Sequence, residues 1–358
     1  MPVVDADAHV DETEDTWEYI DEPLKRFKPT TVSQNTSGPI AGIAKGYTRY
    51  WFIDGRFWLR RVRDDVRTAT TVEKRELHDI PGRLAHMDEL GIDYQVVYPT
   101  LFLMTPTDKP EVELALTKSY NRWMAARSKE SGGRIRYVAM MPLLSMDEAV
   151  KEVAFAKENG ACGISKKGAE LGGRIASDPY FFPLYKAAEA ADLPVCFHVG
   201  NGDPNMSDAD FTALSPWHFG LSAIDAFLSL TLNEVPDKFP KLRWGFIECM
   251  SSWLPYALSD LRARDERTQW QQPFTMKSNV VRDSNYYITC QTIEDLPMVM
   301  EYAGEDNLMA GTDYTHADQS AEIQTMDIIK QMGDKGMITK QQARKIREDN
   351  PAKFYGLS

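Results

Sequence analysis

Asp5-Ala6-Asp7-Ala8-His9 follows the apolar pair Val3-Val4 and reads as the end of a buried β-strand. Residues two apart on a strand face the same side. Asp7 and His9 are therefore expected to project together, with Asp5 one step deeper on that face. Ala6 and Ala8 would face the other way and are small enough to lie under a helix. A carboxylate and an imidazole side by side at a strand tip make half of a divalent-metal site. A charged turn after a first strand would use the same residues, so the remaining strand ends have to decide.

Seven more short apolar runs follow: Tyr94–Tyr98, Arg136–Leu143, Ala161–Ser165, Pro194–Val199, Leu242–Glu248, Tyr286–Cys290 and Leu308–Thr312. Helical patterns fill most of the gaps, over Ile80–Leu90, Val112–Ser131, Met146–Asn159, Tyr180–Ala191, His218–Asn233 and Leu296–Ala303. Eight strands alternating with helices predict an α/β fold, a parallel (β/α)8 TIM-like barrel. A doubly wound open sheet is the alternative; no GxGxxG follows the first strand to support it. The 358 residues are expected to form one barrel domain, with residues 13–79 as a long insertion after the first strand. A tail helix is expected to begin near Ile338–Gln342, and a second turn, Ala352–Tyr355, to stop at Gly356.

The formal net charge of -12 and the lack of a long Lys/Arg run argue against nucleic acid. No apolar run approaches membrane-spanning length. The four cysteines, Cys162, Cys196, Cys249 and Cys290, are far apart, with no CxxC pair. They are expected to be reduced core residues of a cytoplasmic protein. The chain enters a strand directly, so no signal peptide is expected.

In such a barrel the chemistry sits at the C-terminal ends of the strands. Polar residues expected there are Asp7 and His9 on the first strand, Lys166 on the fourth, His198 on the fifth, Glu248 on the sixth and Asp313 after the eighth. Two imidazoles and two carboxylates, Asp7, His9, His198 and Asp313, make a ligand set for Zn²⁺ or Mn²⁺. Glu248 would lie beside the ion, placed to move a proton. Each residue has a plainer reading: His198 as a bonded core residue, Asp313 as a helix cap, Glu248 as a structural carboxylate, His218 as a helix start, His316 as a loop residue. His78 and His86 are given no role. The insertion carries Arg49, Trp51, Arg56 and Trp58 within ten residues, suited to gripping an acidic aromatic molecule or to contacting a second subunit.

The stretches DADAHVDE (5–12), MDELGIDYQVVYPT (87–100), FHVGNG (197–202), FPKLRWGFIE (239–248), AGTDYTHAD (310–318) and DNPAKFYGL (349–357) together resemble the amidohydrolase-related family that includes aminocarboxymuconate semialdehyde decarboxylase and γ-resorcylate decarboxylase. The resemblance implies a (β/α)8 barrel with one catalytic divalent metal, held here by Asp7, His9, His198 and Asp313. It implies a homodimer or higher homo-oligomer as well. Related two-metal barrels use a carboxylated lysine at the fourth strand, near Lys166 here; the one-metal branch is the better match. The family's decarboxylases carry a histidine and a Gly-rich turn at the sixth strand, where this chain has Glu248-Cys249-Met250-Ser251-Ser252. The leading expectation is therefore a metal-dependent hydrolase of a small organic acid or aromatic carbonyl compound, working through a metal-activated water. Glu248 and Asp313 would be the catalytic groups, and Arg49, Trp51, Arg56, Trp58, Lys166 and His218 would contact the substrate. Zn²⁺ is expected, Mn²⁺ being the alternative. The second expectation is a non-oxidative decarboxylase of an aromatic or unsaturated acid; the third is a non-catalytic binding or assembly subunit.

Overall fold

The computed structural model describes residues 1–35, 47–60, 68–200, 216–267, 274–316 and 320–357. Strand β1 (Val4–Val10) is followed by a separate antiparallel sheet of β2 (Thr30–Asn35), β3 (Tyr47–Ile53) and β4 (Arg56–Arg60). The chain then supplies β5 (Tyr94–Pro99), β6 (Ile135–Met140), β7 (Ala161–Lys166), the short hairpin β8 (Ala169–Glu170) and β9 (Arg174–Ile175), β10 (Val195–His198), β11 (Trp244–Ile247), β12 (Tyr286–Cys290) and β13 (Leu308–Ala310). Eight of these form one sheet in the order β1-β5-β6-β7-β10-β11-β12-β13, with every recorded pairing in it parallel. Its two ends meet. Ala8 bridges Tyr314, and His9 N–H donates to the Tyr314 carbonyl at 2.9 Å. A doubly wound sheet would leave these ends apart, so the barrel expectation stands.

The helices lie where the periodicity predicts, shifted by a residue or two at their ends. Ile80–Glu89 and Leu296–Ala303 are each capped by an aspartate, Asp79 and Asp295, whose side chain accepts a backbone N–H of the first turn. The helix Leu254–Arg267 lies between β11 and β12, a gap the sequence reading left without an element. Its buried residues Leu254, Ala257, Leu258 and Leu261 keep helical spacing, but the charged run after Asp260 dilutes the stripe.

Two hydrophobic layers share the strands. Val4, Ala6, Val96, Tyr98, Val138, Cys196, Ile247 and Met309 fill the barrel interior, whereas Ala8, Val10, Val97 and Ala139 pack outward against helices. Ala6 and Ala8 thus face opposite ways, which corrects the simple alternation expected for β1. The cause is a bulge: Asp5 pairs with Gln95 but Ala8 pairs with Val97, so β1 spends one extra residue between them. The extra residue turns Asp7 and His9 inward and leaves Asp5 outside. There its carboxylate accepts from Gln95 at 2.9 Å and from the Thr312 hydroxyl at 2.6 Å and amide at 2.9 Å. A second bulge, where Tyr137 pairs with Ala161 and Val138 with Gly163, resets the parity of β7 before Lys166.

The far end of the barrel is closed by the helix Asn350–Tyr355. Phe354 fits against Gly245, where a Cβ would lie 2.5 Å from its ring. The Tyr355 hydroxyl donates to the Ala6 carbonyl at 2.7 Å and meets the Tyr98 hydroxyl at 2.7 Å. Thr339 and Gln342 form the capping box that starts the tail helix.

Candidate metal centre

His9 reaches the barrel mouth from β1 with its Nδ1 3.0 Å from the Pro99 carbonyl. His198, the last residue of β10, places its Nδ1 2.7 Å from the Val199 carbonyl. A carbonyl can only accept, so each ring holds its proton on Nδ1 and turns an Nε2 lone pair into the mouth. His9 Nε2 lies 3.6 Å from Asp7 Oδ1, 3.6 Å from Asp313 Oδ1 and 3.7 Å from Glu248 Oε2. His198 Nε2 lies 3.4 Å from both Asp7 Oδ1 and Glu248 Oε2. These spacings exceed most hydrogen bonds. They match the edges of a coordination polyhedron, about 3.3–3.5 Å for tetrahedral arms of roughly 2.0–2.1 Å. The potential ligand atoms fall into two overlapping groups, Asp7-His9-His198-Glu248 and His9-Glu248-Asp313-His316, and all six residues are buried.

Three carboxylates gathered out of water repel one another and lose hydration; a divalent cation between them removes both penalties. The donor set therefore fits a metal ion. In the metal-free chain, burial alone would lower the His198 pKa, but the Asp7 hydrogen bond and the charges of Asp7 and Glu248 outweigh it and raise it.

The backbone is bent to build this cluster. Glu248, Met250, Asp313 and Thr315 all have positive φ, at 60°, 59°, 51° and 91°. Such conformations cost energy in non-glycine residues and persist where neighbours hold them. Glu294 is one holder: its carboxylate accepts the amides of Ser251, Ser252 and Gln291 and both serine hydroxyls. The Thr289 hydroxyl accepts the Glu248 amide at 2.7 Å. Asp313 is placed by its own amide, which donates to the Asp7 carbonyl at 2.8 Å. This approach needs Gly311, where a Cβ would come within 2.4 Å of Asp7 Cβ.

The expected residues Asp7, His9, His198, Glu248 and Asp313 are thus brought together. Sequence reasoning missed three others. His316 is buried, not a surface loop residue; its Nδ1 lies 2.7 Å from Asp313 Oδ1 and its ring stacks on His9 at 3.9 Å. Ser320 contacts both Glu248 Oε1 at 2.8 Å and Asp313 Oδ2 at 3.1 Å. Glu294 acts on the turn from a distance in sequence. Only the i, i+3 spacing of Asp313 and His316 was available to find any of them.

A cavity of about 50 Å³, open to solvent at its mouth, begins at His198 and runs beneath the loops after β5, β6 and β7. Phe102, Met104, Met141, Leu144 and Phe181 line its walls, and Lys166, Lys167 and Arg174 bring cations to it. Lys166 does not turn toward His9 and His198. Its Nζ sits 3.8 Å from the Phe181 ring centroid, 2.9 Å from the Lys167 carbonyl and 3.5 Å from Glu170. Burial lowers its pKa to about 8.

The insertion residues lie elsewhere. Trp51 is buried edge-on to Trp17, beneath the Arg60 guanidinium, and lines a smaller pocket beside Asp11 and Glu12. Arg56 is exposed and pairs with Asp108 at 3.1 Å. Arg49 is exposed on β3, and Trp58 packs half-buried on the core across from Trp51. None of these four lines the cavity at His198. His218 is in the helix Pro216–Leu232, but its side chain lies outside the described residues. The four cysteines are buried and free.

Solved structures of known proteins share this architecture. An amidohydrolase from Mycobacterium avium subsp. paratuberculosis K-10 has a TM-score of 0.73 at 20% identity, over 100% of this chain and 98% of that one. A 2,6-dihydroxybenzoate decarboxylase from Rhizobium has a TM-score of 0.66 at 17% identity, over 100% and 99%. A dihydroxybenzoic acid decarboxylase from Polaromonas sp. JS666, solved with manganese and the inhibitor 2-nitroresorcinol, has a TM-score of 0.65 at 18% identity, over 99% and 97%. At these identities the likeness is one of fold. No curated protein matches the sequence significantly. The sequence model of the family described as Amidohydrolase matches residues 4–357, and the chain belongs to that family.

Proposed function

We propose that this protein is a metal-dependent, non-oxidative decarboxylase of an aromatic or unsaturated acid. The observation that carries this reading is the cavity itself. It reaches the buried His/Asp/Glu cluster at His198, and it combines apolar walls suited to a hydrophobic group with cations suited to an acid. The similarly folded decarboxylases of dihydroxybenzoates support the same reading.

In this reading Asp7, His9, His198 and Asp313 hold one divalent ion, and Glu248 stands beside them. When bound, the ion would polarise a substrate oxygen and neutralise developing negative charge. Two carboxylates among the donors suit Mn²⁺ as well as Zn²⁺. Replacing CO₂ by hydrogen requires an acid at the ring carbon. Ser320 Oγ lies 2.8 Å from Glu248 Oε1 and 3.1 Å from Asp313 Oδ2 and holds the two carboxyl groups side by side. Glu248 is the residue proposed to deliver that proton, filling the place of the histidine expected at the sixth strand. Hydrolysis is the second reading. It rests on the same residue, because an ionised Glu248 would serve as a general base. A non-catalytic role gives no reason to keep a strained, buried donor set.

The working unit is proposed to be a homodimer or higher homo-oligomer. Phe52, Phe57, Leu59 and Val32 expose apolar surface on one face of the β2–β4 sheet. Among the described residues no helix is long and apolar enough to cross a membrane.

The test is to supply Mn²⁺ or Zn²⁺ to purified protein and assay hydroxybenzoates for CO₂ release. Esters, thioesters and amides are assayed in parallel for acid release. CO₂ from an acid supports the decarboxylase. Acid release without CO₂ from any member of the panel would replace it with the hydrolase.

A further inference from the structure

A chain of buried polar side chains runs along the seam where β1 meets the turn after β13, behind His9 and Asp313. Arg83, on the helix Ile80–Glu89, is fully buried. Its guanidinium donates to the His9 carbonyl at 2.9 Å, to the Gln95 side-chain oxygen at 2.8 Å and to the Lys74 carbonyl at 3.3 Å. Its face covers the Tyr314 ring at 4.5 Å. Gln95 carries the contact onward. Its amide nitrogen donates to Asp5 at 2.9 Å, and Asp5 in turn accepts the amide and the hydroxyl of Thr312. A side-chain amide can accept from a guanidinium and donate to a carboxylate at once; an ionised glutamate in its place could not donate.

The chain grips two of the metal-binding residues by their backbone. His9 donates its N–H to the Tyr314 carbonyl at 2.9 Å and offers its own carbonyl to Arg83, so its backbone is held on both sides. Asp313 sits between Thr312, which is bonded to Asp5, and Tyr314, whose amide donates to the Thr312 hydroxyl at 3.1 Å and whose ring lies under Arg83. That bracket holds the positive φ of Asp313, at 51°. His9 Nε2 and Asp313 Oδ1, 3.6 Å apart, are thereby set against each other through Arg83, Gln95, Asp5 and Thr312. An apolar side chain of the same volume as Arg83 would fill the seam at little cost in stability, but it would not fix the His9 carbonyl.

We infer that Arg83 is a positioning residue of the metal centre, acting through Gln95 and Asp5 to hold His9 and Asp313 at the separation an ion requires. This rests on the proposed ligand set and not on the reaction, and it is tested without turnover. Co²⁺ serves as the probe, titrated into the metal-free full-length chain, because its visible absorption reports the geometry of its ligands. In Arg83→Met and Gln95→Leu the Kd is expected to rise about 10–100-fold, with a shifted absorption band, the loss usual when a partner that orients a metal-binding side chain is removed. Arg83→Lys keeps the charge but not the fork, and is expected to fall between the native chain and Arg83→Met. Tyr355→Phe is the control: it weakens the opposite end of the barrel and should leave the Kd within about twofold of native, with the band unshifted. Circular dichroism identifies a variant that fails to fold; the other then decides, and Arg83→Lys decides if both fail. A native Kd and spectrum in the folded variants would overturn the inference. So would an equal loss of affinity in Tyr355→Phe, which would trace the effect to stability alone. Weakened Co²⁺ binding in Arg83→Met and Gln95→Leu, in a protein that releases CO₂ from no acid, would keep the inference and remove the decarboxylase. CO₂ release by a protein whose variants bind Co²⁺ as the native chain does would do the reverse.

Discussion

Tyr355→Phe removes one oxygen atom from the closed end of the barrel, and its cost follows from what that atom touches. The hydroxyl donates to the Ala6 carbonyl and meets the Tyr98 hydroxyl, each at 2.7 Å, and all three residues are buried. Without it, Ala6 loses a donor and Tyr98 loses its partner. The Cys196 thiol beside both hydroxyls is a weak substitute. A buried polar group deprived of its partner costs about 1–3 kcal/mol, so Tyr355→Phe should destabilise the chain by roughly 2–3 kcal/mol. Tyr98→Phe alone leaves Tyr355 bonded to Ala6 and should cost about 1 kcal/mol. The decisive result is the double variant. There the stranded Tyr98 hydroxyl is gone, so Tyr98→Phe should restore about 1 kcal/mol to the Tyr355→Phe background although it destabilises the native one. Urea unfolding of metal-free protein, followed by tryptophan fluorescence, measures all four corners of the cycle. Additive losses would refute the coupling and the hydroxyl chain behind it.

His198→Ala should strip the metal while leaving the circular dichroism spectrum native; full occupancy by elemental analysis would remove His198 from the centre. Acid should do the same reversibly. The His198 pKa is raised, and an ion needs the neutral ring, so occupancy should fall as the pH is lowered through that raised value, read by metal retained after dialysis. In the metal-free chain the sign reverses: a raised pKa adds stability that is fully present below the unfolded value of about 6.5 and is lost as pH rises through the higher folded-state value. Glu248→Gln should retain the metal and lower kcat by roughly 10²–10⁴-fold; an unchanged kcat would make Glu248 structural. Gly311→Ala drives a Cβ toward Asp7 and should cost about 1–3 kcal/mol together with metal affinity; a native melting curve would show that β1 and β13 tolerate separation.

The barrel was legible in the sequence because each strand is a short apolar run and most of the helices between them keep their stripe. The metal-binding candidates were legible because barrel topology gathers strand ends, whatever their distance in sequence. What stayed hidden depends on departures from regular geometry. Two bulges reverse the facing of Asp5 and Lys166, and no residue in DADAH or ACGISK announces an extra step. The β3–β4 hairpin was signalled by Asp54-Gly55, both at positive φ in a tight turn, but the aromatic content of the region drew attention to binding instead. Trp51 shows why that attention misleads: a tryptophan in an insertion is as well suited to fill a core as to meet a ligand. His316, Ser320 and Glu294 act through partners supplied by other loops, which sequence spacing does not report.

The closed ring has a consequence for how the molecule comes to exist. Asp7 is made among the first residues, yet its carbonyl waits for the amides of Thr312 and Asp313, and the neighbouring Ala6 waits for Tyr355. Every strand of the sheet must leave the ribosome before either contact forms. Contacts of such long range carry a large loop-closure cost and form slowly. The nascent chain therefore carries an open parallel sheet with unpaired edges for most of its synthesis, a species prone to aggregation. The ion that fits the finished mouth has no assembled site until the last strand docks. Metal capture should accordingly be the final event of folding, and metal supplied in excess should raise the yield of native protein without speeding the early steps.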